Sequence, residues 1–153
     1  MSTAIHRRVA ALNAGLDEAV IARVPSGWVI LGDPQVRLGY CLLLPDPVVT
    51  DLNALAAAER QQFLSDMTAI GDVLLSELSA TRMNYAIYGN VEPALHAHLF
   101  PRRLDEPALE RTAQPWALDW IGADAFSVDR HGPLLSRLRR AVCASVPGAR
   151  LAR

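Results

Sequence analysis

His96 and His98 stand one residue apart in the run Glu92-Pro93-Ala94-Leu95-His96-Ala97-His98-Leu99-Phe100-Pro101-Arg102-Arg103, threaded between apolar neighbours and followed by two arginines. Imidazole titrates near neutral pH, so it can serve as nucleophile, general base, general acid or metal ligand. Three readings of the pair compete. Both rings can be ordinary surface residues of a strand. They can ligate a metal, although the third ligand would have to come from distant segments such as His6, His131, Asp33 or a cysteine. Or one ring acts as nucleophile or base and its neighbour as acid, beside arginines suited to a phosphate or carboxylate.

The element that carries the pair decides its geometry. Side chains two apart share a face in a strand and diverge by about 200° in a helix. The alternation from Ala94 to Phe100 predicts a strand, so His96 and His98 stand side by side while Leu95, Ala97 and Leu99 face the core. Such a platform is rigid and half-buried.

The remaining chain must supply that platform. Its 153 residues suffice to bury about two-thirds of the unfolded surface, and residues 1–153 are read as one domain. A net charge of −1 gives no reason to expect attraction to nucleic acid or membrane, and any phosphate binding must be local. All fifteen basic residues are arginines, which excludes a Schiff-base lysine and a P-loop lysine. Cys41 and Cys143 lie in apolar contexts far apart and read as buried free thiols in a reducing compartment. No apolar run reaches the ~18 residues of a membrane span, and a cytoplasmic location is expected.

Ile5, Val9, Leu12, Leu16 and Val20 recur with helical period and predict an N-terminal helix over 4–22, capped by Ser2 or Thr3 and broken at Val24-Pro25-Ser26-Gly27. Trp28 to Leu31 and Tyr40 to Leu44 read as strands of a β-meander, separated by the turn at Gly32-Asp33-Pro34-Gln35. Phe63, Met67, Ile70, Leu74 and Leu78 predict a long helix from about Ala57 to Ser79. Arg82 to Tyr88 alternates as a further strand. Residues 105–129 carry Pro, Trp and acidic residues without a period and read as ordered irregular structure, with Trp116 and Trp120 available to cover a pocket or an interface. A final helix is expected from Gly132 to Val146.

The stretch from Asn84 through Gly89 and His96 to Arg102 resembles the signature strand pair of the histidine triad (HIT) family, whose motif alternates three histidines with hydrophobic residues. Trp28 to Leu31, the Asp33-Pro34 turn, Gly39 to Pro45 and the helix near 51–79 follow the family's order, so the resemblance covers about residues 25–103 and leaves 104–153 as a C-terminal extension. It implies an α+β fold with a central, mostly antiparallel sheet, one long helix packed on it, and helices at both ends. It also implies a homodimer that binds a nucleotide or dinucleotide and hydrolyses or transfers a nucleotidyl group through a nucleotidyl-histidine intermediate. No metal ligand set is evident in the sequence, and no cofactor or metal is expected.

Carried over by position, His96 matches the nucleophile and His98 the histidine that helps with the leaving group and α-phosphate. Asn84 falls near a phosphate-contacting amide, and Asp33 near the residue that holds the ribose hydroxyls; each can equally serve a cross-strand pair or a turn. Arg102 is the arginine on the histidine face if the strand persists past Pro101. Tyr40 and Trp28 complete the candidate substrate-binding residues, although Trp28 fits the core better than a base-stacking wall.

Two positions depart from the family pattern. The first triad position is Ala94, and the usual Pro-Gly-His is Leu38-Gly39-Tyr40. Alanine keeps the main-chain carbonyl that fixes the nucleophile's second nitrogen in relatives, and Tyr40 can fill the space of the other imidazole. The alternatives to an enzyme are a non-catalytic nucleotide-binding or regulatory protein and, third, a metal-binding module.

Overall fold

The computed structural model describes residues 2–151. Five strands, β1 (Val20–Val24), β2 (Gly27–Leu31), β3 (Cys41–Pro45), β4 (Arg82–Ala86) and β5 (Ala97–Arg102), form one sheet in the order β1-β2-β3-β5-β4. All four pairings are antiparallel. The meander β1-β2-β3 is followed by a helical excursion, after which β5 inserts between β3 and β4. Helices α1 (Ala4–Asn13), α2 (Ala57–Glu77), α3 (Ala108–Arg111) and α4 (Val128–Ser145) complete an α+β arrangement, as expected.

The helix predicted over 4–22 stops at Asn13. Gly15 adopts a left-handed φ of 70°, and Leu16 N–H donates to the Ala11 carbonyl at 2.9 Å, which closes the helix end. Leu16 is therefore 77% exposed instead of inward-facing, and Val20 belongs to β1. The apolar spacing ran on past the end because β1 presents its own apolar residues to the core. Pro25 and Ser26, read as a breaker, form the two-residue link of the β1–β2 hairpin, in which Val24 pairs with Gly27.

Strand alternation sorts the core into two faces. Val29, Leu31, Cys41, Leu43, Ala97 and Leu99 meet Phe63, Ile70 and Leu74 of α2 and Leu135, Leu138 and Val142 of α4. On the opposite face Trp28, Ile30 and Leu44 meet Ile5, Val9 and Leu12 of α1. Both sides of β2 are thus covered, and all five of its residues are buried.

The predicted Ala94–Phe100 strand begins at Ala97 and extends to Arg102. Pro101 is tolerated because β3 pairs with β5 only as far as Leu99, so its missing N–H faces no ladder on that side. Residues 105–127 hold only α3 and a 3-10 turn at Pro115–Ala117, in keeping with the aperiodic sequence. Among the described residues no helix is long and apolar enough to cross a membrane.

Candidate active site

His98 lies in β5 opposite Leu42 of β3, on the face that α1 covers at its other end. His96 precedes the strand by one residue, yet the two rings stay together with centroids 4.8 Å apart. Leu95, Ala97 and Leu99 point the other way and are fully buried, as the alternation requires.

His96 is 7% exposed, and its Nδ1 stands 2.8 Å from the Ala94 carbonyl oxygen. A carbonyl only accepts, so Nδ1 carries the proton and Nε2 keeps a free lone pair. The Ala94 carbonyl therefore sets the tautomer. The Ala94 side chain is 2% exposed and joins the apolar cluster under α1. One carboxylate ties these parts together, since Glu92 accepts from Ala94 N–H at 3.2 Å and from Ala4 N–H at 2.9 Å.

Tyr40 does not line the cleft. It is 3% exposed, and its hydroxyl lies 2.7 Å from His98 Nδ1. The ring stacks on Phe100 at 4.5 Å and meets the edge of Trp120. Gly32 makes room for it, because a Cβ there would fall 2.2 Å from the Tyr40 ring. Gln35 holds the backbone of the same loop: its Nε2 donates to the carbonyls of Gly32 and Tyr40, and its Oε1 accepts from Gly39 N–H. Burial, and secondly the charge of His96, depress the His98 pKa to about 4, so this ring is neutral at pH 7.

The two histidines line a cleft of about 550 Å³ with Tyr88, Glu92, Gln114 and Trp116. Trp116 is 47% exposed, stands edge-on to His98 at 5.0 Å and touches Tyr88 at 4.9 Å. A neighbouring hollow of about 790 Å³ shares Tyr88, Gln114 and Trp116 and includes Asn84 and Arg102.

The other expected contacts are placed differently. Arg102 does reach the histidine side of the strand, as the persistence of β5 past Pro101 allows. Its donors, however, are taken by Glu106, Asn84 Oδ1 and the carbonyls of Ala113 and Glu110. All five N–H groups of the guanidinium are then satisfied by protein. Arg102 is a clamp for the 106–113 segment and not a free phosphate ligand, and Asn84 is its partner across the sheet. Burial raises the Glu106 pKa, but hydrogen bonds from Arg102 and the Arg103 N–H outweigh it, and the carboxyl is held below its usual range. Arg37 adds a second ion pair to Glu106 at 3.3 Å.

Asp33 accepts from Phe126 N–H at 2.9 Å and so fastens the chain just before α4; it is not among the residues lining the histidine cleft. Trp28 packs under α1, and its indole N–H donates to Asn13 at 3.0 Å. It is core, with no surface left for a base. His6 and His131 are occupied at the starts of α1 and α4. Among the described residues no three His, Cys, Asp or Glu side chains gather as a metal site. Sequence reasoning passed over Gln35, Glu92 and Glu106, which themselves lie in loops with no periodic signal. Glu106, only four residues beyond Arg102, carried the clearest hint.

No family model matches this chain, and no curated protein sequence matches it. Solved structures do. A histidine triad protein from Bradyrhizobium japonicum is similar with a TM-score of 0.71 and 21% identity, covering 93% of this chain and 99% of its own. A histidine triad protein from Marinobacter aquaeolei aligns with a TM-score of 0.73 and 17% identity over 95% of this chain and 100% of its own. A hypothetical histidine triad nucleotide-binding protein from Sulfolobus tokodaii gives 0.68 and 15% over 88% and 89%. The chain has the fold of these proteins nearly end to end.

Proposed function

We propose that this protein is a HIT-like nucleotidyl hydrolase or transferase acting on nucleoside phosphates or dinucleoside polyphosphates, with His96 as nucleophile. The observation that carries this reading is the 2.8 Å contact of His96 Nδ1 with the Ala94 carbonyl, which leaves Nε2 unprotonated in a ring that lines the cleft. The nucleotide-binding description of the Sulfolobus tokodaii structure supports the ligand class. A homodimer in the cytoplasm belongs to the same reading.

In the first step the Nε2 lone pair forms a bond to the α-phosphorus while the bond to the leaving oxygen breaks and that oxygen takes the electron pair. The proton stays on Nδ1, donated to the Ala94 carbonyl. Water then attacks phosphorus, the P–N bond returns its pair to Nε2, and the water's proton passes to solvent. Trp116 offers an aromatic wall to the nucleoside.

No arginine lines the cleft among its described residues, and Glu92 does. That observation favours a second reading, a nucleotide-binding protein without turnover. Excess protein mixed with α-labelled adenosine and guanosine phosphoanhydrides and quenched early in base separates the two. An acid-labile nucleotidyl adduct on His96, absent from His96→Ala, establishes the enzyme; His96→Ala should lose at least about 10³-fold in turnover with its fold intact. Thermal stabilisation by nucleotide with no adduct or product establishes the binder. Turnover unchanged in His96→Ala rejects the mechanism.

A further inference from the structure

The Tyr40 hydroxyl and His98 Nδ1 are 2.7 Å apart, and both atoms can donate or accept. The surroundings decide the direction. Burial raises the Tyr40 pKa, so the phenol keeps its hydrogen at any pH near neutral. That hydrogen has one acceptor within reach among the described residues, the Nδ1 of His98. The rest of the pocket is the face of Phe100 and the edge of Trp120. A proton on Nδ1 would turn the hydroxyl hydrogen toward these rings without a partner, a penalty that disfavours that tautomer by about tenfold or more.

We propose that Tyr40 is a positioning residue whose hydroxyl donates to His98 Nδ1, holds that ring in the neutral Nε2–H tautomer, and thereby sets a hydrogen-bond donor beside the bare Nε2 of His96. Its purpose rests on the reading of His96 as nucleophile. Two adjacent imidazoles are then locked in opposite tautomers by two different devices, a main-chain carbonyl behind His96 and a side-chain hydroxyl behind His98. His98 donates a hydrogen bond to a phosphoryl or leaving-group oxygen and keeps its proton throughout, so no charge is left unbalanced on the ring.

Tyr40 is built to hold one direction. Gly39, at a φ of 85°, turns the chain into it, Gln35 bonds its carbonyl, and its ring lies within 7° of parallel to that of His98.

The test reads the rings directly. Long-range ¹H–¹⁵N correlation spectra of ¹⁵N-labelled protein at pH 7, with His98→Asn to assign the signals, should show His98 protonated at Nε2 and bare at Nδ1, and His96 the reverse. In Tyr40→Phe, which keeps the stacked ring, the His98 pattern should collapse toward a mixture of tautomers. With any substrate that turns over, kcat should fall about tenfold while KM stays within about twofold. A proton on His98 Nδ1 in the unmutated protein, or an unchanged pattern in Tyr40→Phe, overturns the proposal. Because the spectra need no substrate, failure to find turnover would reject the nucleotidyl-transfer reading without touching this result.

Discussion

One face of the sheet is covered in two ways. Toward β1, helix α1 lays Ile5, Val9 and Leu12 on Trp28, Ile30, Leu44 and Ala94, and the contact is apolar and closed. Toward β5, an irregular segment lays Leu118 and Trp120 on Val36, Tyr40 and Phe100 and leaves Trp116 half-open at its rim. The histidines lie where these coverings meet. A helix can seal a surface by periodicity alone, whereas a loop must be tied at particular points and leaves gaps between them. The ties here are polar: Arg102 to Glu106, Asn84 and two loop carbonyls, and Asp33 to Phe126 N–H. Chemistry is possible at the looped end because that end is incompletely closed.

Breaking the ties should show the difference most. Arg102→Ala leaves Glu106 buried without its main partner, a loss of about 3–5 kcal/mol, and denaturant unfolding should register it with a matching change in Trp116 and Trp120 fluorescence. A loss under about 1 kcal/mol would mean that the clamp does not hold the looped covering.

Opening the sealed end should cost less. Ala94→His pushes an imidazole into the cluster beneath α1, so stability should fall by about 2 kcal/mol in the same unfolding experiment, and turnover should not rise. A stable and more active Ala94→His would show that α1 is not packed against this position as described.

The smallest effect is on pH dependence and belongs to the looped end alone. His98 has a pKa near 4 in the folded protein against 6.5 for the free side chain, so the unfolded chain binds the extra proton between those values. Stability is therefore full above about pH 6.5 and is lost as the pH falls toward 4. With the ring partly open to solvent, the contribution is about 1–2 kcal/mol. Urea titrations across this window should show the slope in the unmutated protein and a flatter one in His98→Asn; equal slopes would place the acid sensitivity elsewhere.

Most of the fold was legible from local pattern. Alternation from Leu95 to Leu99 correctly put the histidines opposite the core, and the 3.6-residue period of Phe63 to Leu74 located α2 to within two residues at its C-terminal end. The pattern misled at Leu16 and Val20, where apolar residues of a turn and a strand continued a helical spacing by coincidence. The site was half legible. His96, His98 and the Ala94 carbonyl lie within five residues, so local geometry was enough to relate them. Asp33, Asn84, Arg102 and Trp28 were matched by position, but position does not say what else competes for their hydrogen-bonding groups.

The sequence by itself determined which residues face the core, where the main elements lie, and that two imidazoles stand together on one strand face. These follow from backbone periods that act over a few residues. The tertiary structure alone decided that Tyr40 meets His98 across 58 residues of chain, that the donors of Arg102 are spent on the loop it clamps, and that α1 closes over Trp28 and Ala94. Those pairings depend on how loops close and on which buried polar group finds a partner first, and no period in the sequence encodes either.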